Sequence, residues 1–198
     1  MKTDLTKKFK EYYSAPREPA LADFDPGKYL SIEGKGEPSG KEFSAKVETL
    51  YPVAYGIKKI CKAKNLDFTV AKLEGLWWVA NGKDARTTPR TEWNWKLLIR
   101  MPDFVNETFF KDACTEVLEK KGLELAKKVK FESLENGKCV HVMHLGPYKD
   151  EPETIDRMTA VIEAKGLKKA GLHHEIYLSD PKKTAPSKMK TILRQPVR

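Results

Sequence analysis

The sequence predicts an α+β fold built from two β-α-β-β repeats related by a pseudo-twofold axis, with a ligand cleft between them. Three observations carry that prediction. Gly27-Lys28 opens an apolar run that Gly36 closes, and Gly137-Lys138 and Gly146 frame a second run at the same offset. Lys96-Leu-Leu-Ile-Arg100-Met-Pro102 and Lys190-Thr-Ile-Leu-Arg194-Gln-Pro196 share lysine, arginine and proline around apolar residues. Between each pair lies the same order of helical and extended periodicity, as a duplication requires.

Element by element, residues 1–26 read as an arm or short helix that Phe9, Tyr12 and Tyr13 dock and Pro16, Pro19 and Pro26 interrupt. The domain proper is 27–198, with repeat one at about 27–102, a connecting helix at 106–122 and repeat two at about 131–198. KYLSIEGK (28–35) is a first strand. Ser39 or Ser44 caps a helix whose apolar residues from Phe43 to Cys61 recur every three or four positions. Pro52 should kink or split it. Leu66–Ala80 and Thr91–Met101 are rich in aromatic and β-branched residues, hence strands, joined by a polar hairpin loop starting at Asn81-Gly82. Asn106 caps the connecting helix and Gly122 stops it. In repeat two, Phe131–Leu145 holds a hairpin-like Glu-Asn-Gly turn and a strand. Asp150 caps a helix carrying Ile155, Met158, Val161 and Ile162. His173–Asp180 and Met189–Pro196 are the last strands.

Composition narrows the function classes. Of 198 residues, 40 % are hydrophobic and 33 % charged, enough apolar material for a sizeable core. No stretch reaches the roughly 20 apolar residues of a membrane helix, and the N-terminus lacks the apolar centre of a secretory signal, which predicts a cytoplasmic protein. Cys61, Cys114 and Cys139 form no paired motif and read as reduced thiols. The net charge of +9 comes largely from six basic residues in 181–198, a solvated surface or a phosphate-binding one, and with no nucleic-acid-binding motif beside it a nucleic-acid partner is not expected. The four histidines, His141, His144, His173 and His174, fall on strands at spacings that diverge, which argues against a metal site. There is no GxSxG or Walker pattern, and no cofactor is expected.

The candidate site is aromatic and acidic. Trp77, Trp78, Trp93 and Trp95 fall within nineteen residues, more indole than one small core absorbs, so a ligand-facing wall is the sharper reading and core packing the plainer one. Tyr148 and Tyr55 are further candidates for that wall. His173, Glu175 and Tyr177 alternate on one strand and share a face. A glutamate turned inward there would be desolvated and could pair with a lipophilic cation or act as a base towards water; turned outward, it is an ordinary surface acid. Aligning the halves sets Glu74 opposite Glu175 as a second carboxylate, with Glu92 a weaker candidate.

LGPYKD (145–150), HHEIYLSDP (173–181) and KTILRQPV (190–197) resemble the GyrI-like small-molecule-binding family over about residues 25–198. That resemblance implies paired β-α-β-β repeats of the SHV2 type with a cleft between them. It also implies that Glu175 matches the buried glutamate that meets cationic drugs, with Tyr177 beside it. The chain has no DNA-binding domain and looks more like the stand-alone branch with tryptophan-rich first repeats (EGLWW and EWNWK here). Members of that branch include hydrolases of cytotoxic cyclopropanoid compounds. Three functions stay open: a hydrolase with Glu175 and Tyr177 as catalytic residues, a non-catalytic module that sequesters aromatic or lipophilic drugs, and an inhibitor docking on a protein such as gyrase. A monomer or weak dimer is expected.

Overall fold

The computed structural model describes residues 2–38, 40–80, 83–135 and 137–198. Its elements run β1 (Thr3–Asp4), α1 (Leu5–Lys8), β2 (Ala20–Phe24), β3 (Gly27–Lys35), α2 (Lys41–Ala63), β4 (Phe68–Thr69), β5 (Leu73–Trp78), β6 (Asn94–Met101) and α3 (Glu107–Lys121). They continue with β7 (Lys130–Leu134), β8 (Gly137–Leu145), α4 (Glu151–Ala164), β9 (His173–Tyr177) and β10 (Lys190–Pro196). Eight strands form one antiparallel sheet in the order β2-β8-β10-β9-β5-β6-β3-β7, and β1 pairs with β4 beside it. The two repeats are therefore β3-α2-β5-β6 and β8-α4-β9-β10, meeting at β5 and β9 in the middle of the sheet. No helix among the described residues is long and apolar enough to cross a membrane.

The connectivity forces this sheet to curl. β2 and β3 are separated by two residues in sequence yet stand at positions one and seven of the sheet; β7 and β8 are likewise separated by two and stand at eight and two. Two residues span at most ~7 Å beyond the strand ends, so the two edges of the sheet must come together. Tyr12 confirms which face is concave. Its side chain reaches Tyr29 on β3, Glu74 on β5, Arg100 on β6, Arg194 on β10 and Phe24 on β2. One ring can touch five strands only if they wrap around it. The arm thus fills the inside of a half-barrel, while the long helices pack on the convex outside.

Strand parity assigns each side chain to a face. Leu30, Ile32, Trp95, Leu97 and Ile99 turn outward and pack under α2, which contributes Leu50, Val53, Ala54 and Ile57. Val140, Val142 and Leu193 turn outward under α4, which contributes Met158 and Ile162. β5 and β9 lie between these two covered areas, and the cleft is the strip of sheet they expose.

Several sequence expectations change. α2 runs unbroken through Pro52, because the buried residues on either side hold it to the sheet. Ser44 lies inside that helix; the cap position is Gly40, with no side-chain bond, and Ser39 lies outside the described residues, as do Asn81-Gly82 and Asn136 of the two expected turns. Asn106 does cap α3, accepting from the Phe109 N–H at 3.0 Å. Asp150 makes no cap bond: a 3₁₀ turn over Tyr148–Asp150 leads into α4, and Pro152 takes the first turn. Phe131–Leu145 is not a hairpin, since β7 crosses to β3. Of the basic residues in 181–198, Arg194 is buried, its guanidinium 4.1 Å from the Tyr12 ring centroid inside the half-barrel.

Candidate active site

Two adjacent strands carry a glutamate each, and they face opposite ways. In the β5–β9 ladder Gly75 stands opposite Glu175, and Glu74 opposite Ile176. Glu74 therefore does not enter the cleft. The closing strands give the reason: Leu98 and Ile192 are equivalent, and their partners are Glu74 and Ile176. Glu175 consequently corresponds to Leu73. Aligning Glu74 with Glu175 is a one-residue slip, and a slip of one moves a side chain to the other face.

On the concave face Glu74 is fully buried. Its Oε2 accepts from the Tyr12 hydroxyl at 2.6 Å and from His174 Nε2 at 2.9 Å, and Tyr29 lies 2.9 Å from the Tyr12 oxygen. Burial outweighs the pull of Glu74 and holds the His174 pKa below its ordinary value, so the ring donates as a neutral imidazole.

On the convex face Trp77 Nε1–H donates to the Tyr177 oxygen at 3.0 Å, and the Tyr177 hydroxyl donates to Glu175 Oε2 at 2.8 Å. His173 Nε2 lies 3.5 Å from Glu175 Oε1. Gly75 makes this chain possible. A Cβ there would sit 2.8 Å from Trp77 Nε1 and 2.9 Å from the Tyr177 oxygen, inside van der Waals contact. The Glu175 side chain keeps 11 % exposure and that of His173 18 %, whereas Glu74 has none. Water reaches one carboxylate and not the other.

Aromatic rings wall this strip. Trp77 stacks on Phe43 of α2 (centroids 6.1 Å, planes 17°) and meets Trp93 edge-on at 6.1 Å. Tyr148, in the turn before α4, packs edge-on against Tyr177 at 5.8 Å. Burial among these groups, with Glu151 and Glu175 nearby, pushes the Tyr148 hydroxyl up to about 12. Ahead of β6, Arg86 pairs with Asp156 of α4 and Arg90 lies against the Trp93 ring.

The structure thus brings together Glu175, Tyr177, His173, Trp77, Trp93 and Tyr148. It sends other candidates elsewhere. Trp78 shares its face with Glu74. Trp95 is fully buried beneath α2, its N–H on the Gly36 carbonyl at 3.0 Å and its ring over Gly34, where a Cβ would lie 2.1 Å from it. Tyr55 is 56 % exposed on α2, lining a surface groove of about 520 Å³ with Lys58, Lys59 and Lys62. Glu92 pairs with Lys83 at the surface.

Glu151, the first residue of α4, escaped the sequence reading. It is buried beside Thr191 and Glu175, and both its burial and the Glu175 charge push its carboxyl far above the ordinary range. The helix N-terminus favours an anion by only about 0.3–1 kcal/mol, too little to reverse this. The available signal was the glutamate one residue after a turn that carries Tyr148.

A family model for the GyrI-like small molecule binding domain matches residues 17–198, and the chain belongs to that family. Among solved structures it is similar to an uncharacterized conserved protein from Listeria innocua, with 38 % identity, a TM-score of 0.93 and full coverage of both chains. It is also similar to a hydrolase from Listeria innocua, at 37 % identity and a TM-score of 0.90, again over both whole chains. The C-terminal domain of EcmrR shares the fold at 14 % identity and a TM-score of 0.58, covering 91 % of this chain and 97 % of that one. No curated protein matches it in sequence. The class the fold defines is a small-molecule-binding domain.

Proposed function

We propose that this chain binds a flat, lipophilic molecule over β5 and β9 and hydrolyses it, Glu175 taking a proton from the attacking water. The observation that carries the reading is the ordered chain from Trp77 through Tyr177 to Glu175, which fixes one carboxylate oxygen and leaves the other 3.5 Å from His173 Nε2 on a side chain that keeps some exposure. A base must be held in place and still meet water, and Glu175 satisfies both conditions. Trp77, Trp93 and Tyr148 offer ring faces and edges to a planar ligand. The whole-length likeness to a protein described as a hydrolase supports turnover in this architecture.

The substrate class that suits the site is a cyclopropane conjugated to a carbonyl. Such a ring is already electrophilic, so the protein need supply only a positioned water, a base and a polar group for the charge gathering on the carbonyl oxygen. The test follows loss of a cyclopropanoid by chromatography with wild type and Glu175→Gln at equal saturation. Wild-type turnover no faster than buffer would leave the protein a binder only.

Sequestration of lipophilic cations is the second reading, favoured by one observation. Glu151 and Glu175 stand close enough to repel, and a ligand cation over the neighbouring rings would relieve that repulsion.

A further inference from the structure

The helix-facing side of the sheet holds a second carboxyl in the cleft, and its surroundings differ from those of a surface acid. Glu151 enters from the start of α4 and is 7 % exposed. Thr191, beside it, stands opposite Tyr177 in the β9–β10 ladder. Glu151 Oε1 and His173 Nε2 are buried without a hydrogen-bond partner among the described residues, while the Thr191 hydroxyl lies against the Glu151 carboxyl. Buried polar atoms left without a partner are costly unless a bound molecule meets them.

We propose that Glu151 is the proton donor to a substrate oxygen in the same step in which Glu175 receives a proton from water. This rests on the hydrolytic reading above. The chemistry balances. The water oxygen bonds to a ring methylene carbon, and the carbon–carbon bond from that methylene breaks. The released pair moves through the conjugated system to the carbonyl oxygen, Glu175 takes the proton that water loses, and Glu151 supplies the proton that the oxygen gains. The product is the hydroxyethyl phenol or enol, and solvent returns the two carboxyls to their starting states.

The placement suits the division of labour. Burial and the charge of Glu175 both favour the protonated form of Glu151, which suits a donor. The groups facing Glu151 are Glu175 and Tyr177 of β9, Thr191 of β10, Arg90 ahead of β6 and Tyr148 ahead of α4. Arg90 and a hydrogen bond from Thr191 favour the anion, and burial with Glu175 outweighs both. Both tyrosine hydroxyls are themselves pushed upward, Tyr177 well above its usual value. Of the three raised groups, Glu151, Tyr148 and Tyr177, the Glu151 carboxyl, pushed up to about 10, is the first to deprotonate as pH rises.

The experiment uses the full chain and a spirocyclopropyl cyclohexadienone, whose hydrolysis gives a hydroxyethylphenol that chromatography separates. Glu151→Gln should lower kcat about 10²–10⁴-fold with KM little changed, because the amide keeps the volume and loses the transferable proton. The wild-type rate should fall as pH rises through the Glu151 value, and the variant should lack that limb. Infrared spectra of the wild type at neutral pH should show a neutral carboxyl band that disappears on raising the pH, a measurement that needs no variant to fold. Wild-type kcat and an unchanged alkaline limb in Glu151→Gln overturn the donor role while leaving hydrolysis standing. Absence of the neutral carboxyl band also overturns it. Wild-type turnover at the buffer rate removes the hydrolytic reading, and the donor with it.

Discussion

The two faces of the central strand pair use the same kinds of residue for opposite ends. On the concave face a glutamate, a histidine and two tyrosines lie under an arm that shuts out water, with Arg194 and Arg100 over the Tyr12 ring. On the convex face a glutamate, a histidine and two tyrosines stand beside a second carboxyl, still in reach of solvent. The difference lies in cover and in charge. A buried carboxylate with donors and nearby guanidinium groups is a structural anchor. One that faces another carboxyl retains a reason to bind a proton, a cation or a reacting water. Residue type alone does not separate the two; the face does.

The comparison predicts that the two glutamates fail differently. Glu175→Gln should reduce turnover of a cyclopropanoid by about 10²–10⁴-fold with little change in Tm, as measured by chromatography and thermal melts of the same sample. Comparable turnover in both forms would move the base elsewhere. Glu74→Ala should do the reverse, removing about 3–5 kcal/mol of stability because Tyr12 and His174 lose their shared acceptor. At about 2–4 °C per kcal/mol the melt should drop by on the order of 10 °C. An unchanged Tm would mean that the arm is not anchored through Glu74.

A third prediction uses pH. His141 faces the concave interior, and burial together with Arg194 lowers its pKa to about 4. A histidine depressed in the folded state contributes stability that is present above its unfolded value, near 6.5, and is lost as pH falls towards 4. The loss should be on the order of 1–3 kcal/mol, seen in urea midpoints, and His141→Gln should flatten that slope. A slope that survives the substitution would assign it to other groups. The smallest effect concerns the indoles. Trp93→Phe should weaken a flat aromatic ligand by roughly 0.5–1.5 kcal/mol, about two- to tenfold, whereas Trp78→Phe on the other face should not. Fluorescence titration of both variants decides it, and equal losses would erase the distinction between faces.

Much of the fold could be read from the sequence because periodicity and glycine placement are local properties. The runs at 28–35, 137–145 and 190–196 and the helix capped by Asn106 are strands and a helix for the reasons the residues give. β2 was missed, since ALADF resembles a strand only once β8 is there to pair with it. His173, Glu175 and Tyr177 were legible as a shared face through alternation. Which face they occupy, and the position of Glu74, depended on register. Register is set by partners a hundred residues away, and one residue of error inverts the answer. Glu151 was invisible for a related reason: a glutamate in a helix's first turn is ordinary until the packing of α4 on β8 turns it inward.

The exchange of edge strands also bears on the order in which the molecule can be made. β2 finds its partner in β8, roughly 120 residues later, and β3 receives β7 only after all of repeat one has been synthesised. β10, which follows every other strand in the chain, must slot between β8 and β9. A growing chain on the ribosome therefore holds the first repeat with an open edge and an unfilled interior, and neither repeat closes alone. Assembly of this kind is dominated by distant pairings, which places the domain among slow folders. A nascent first repeat is the species most in need of chaperone protection.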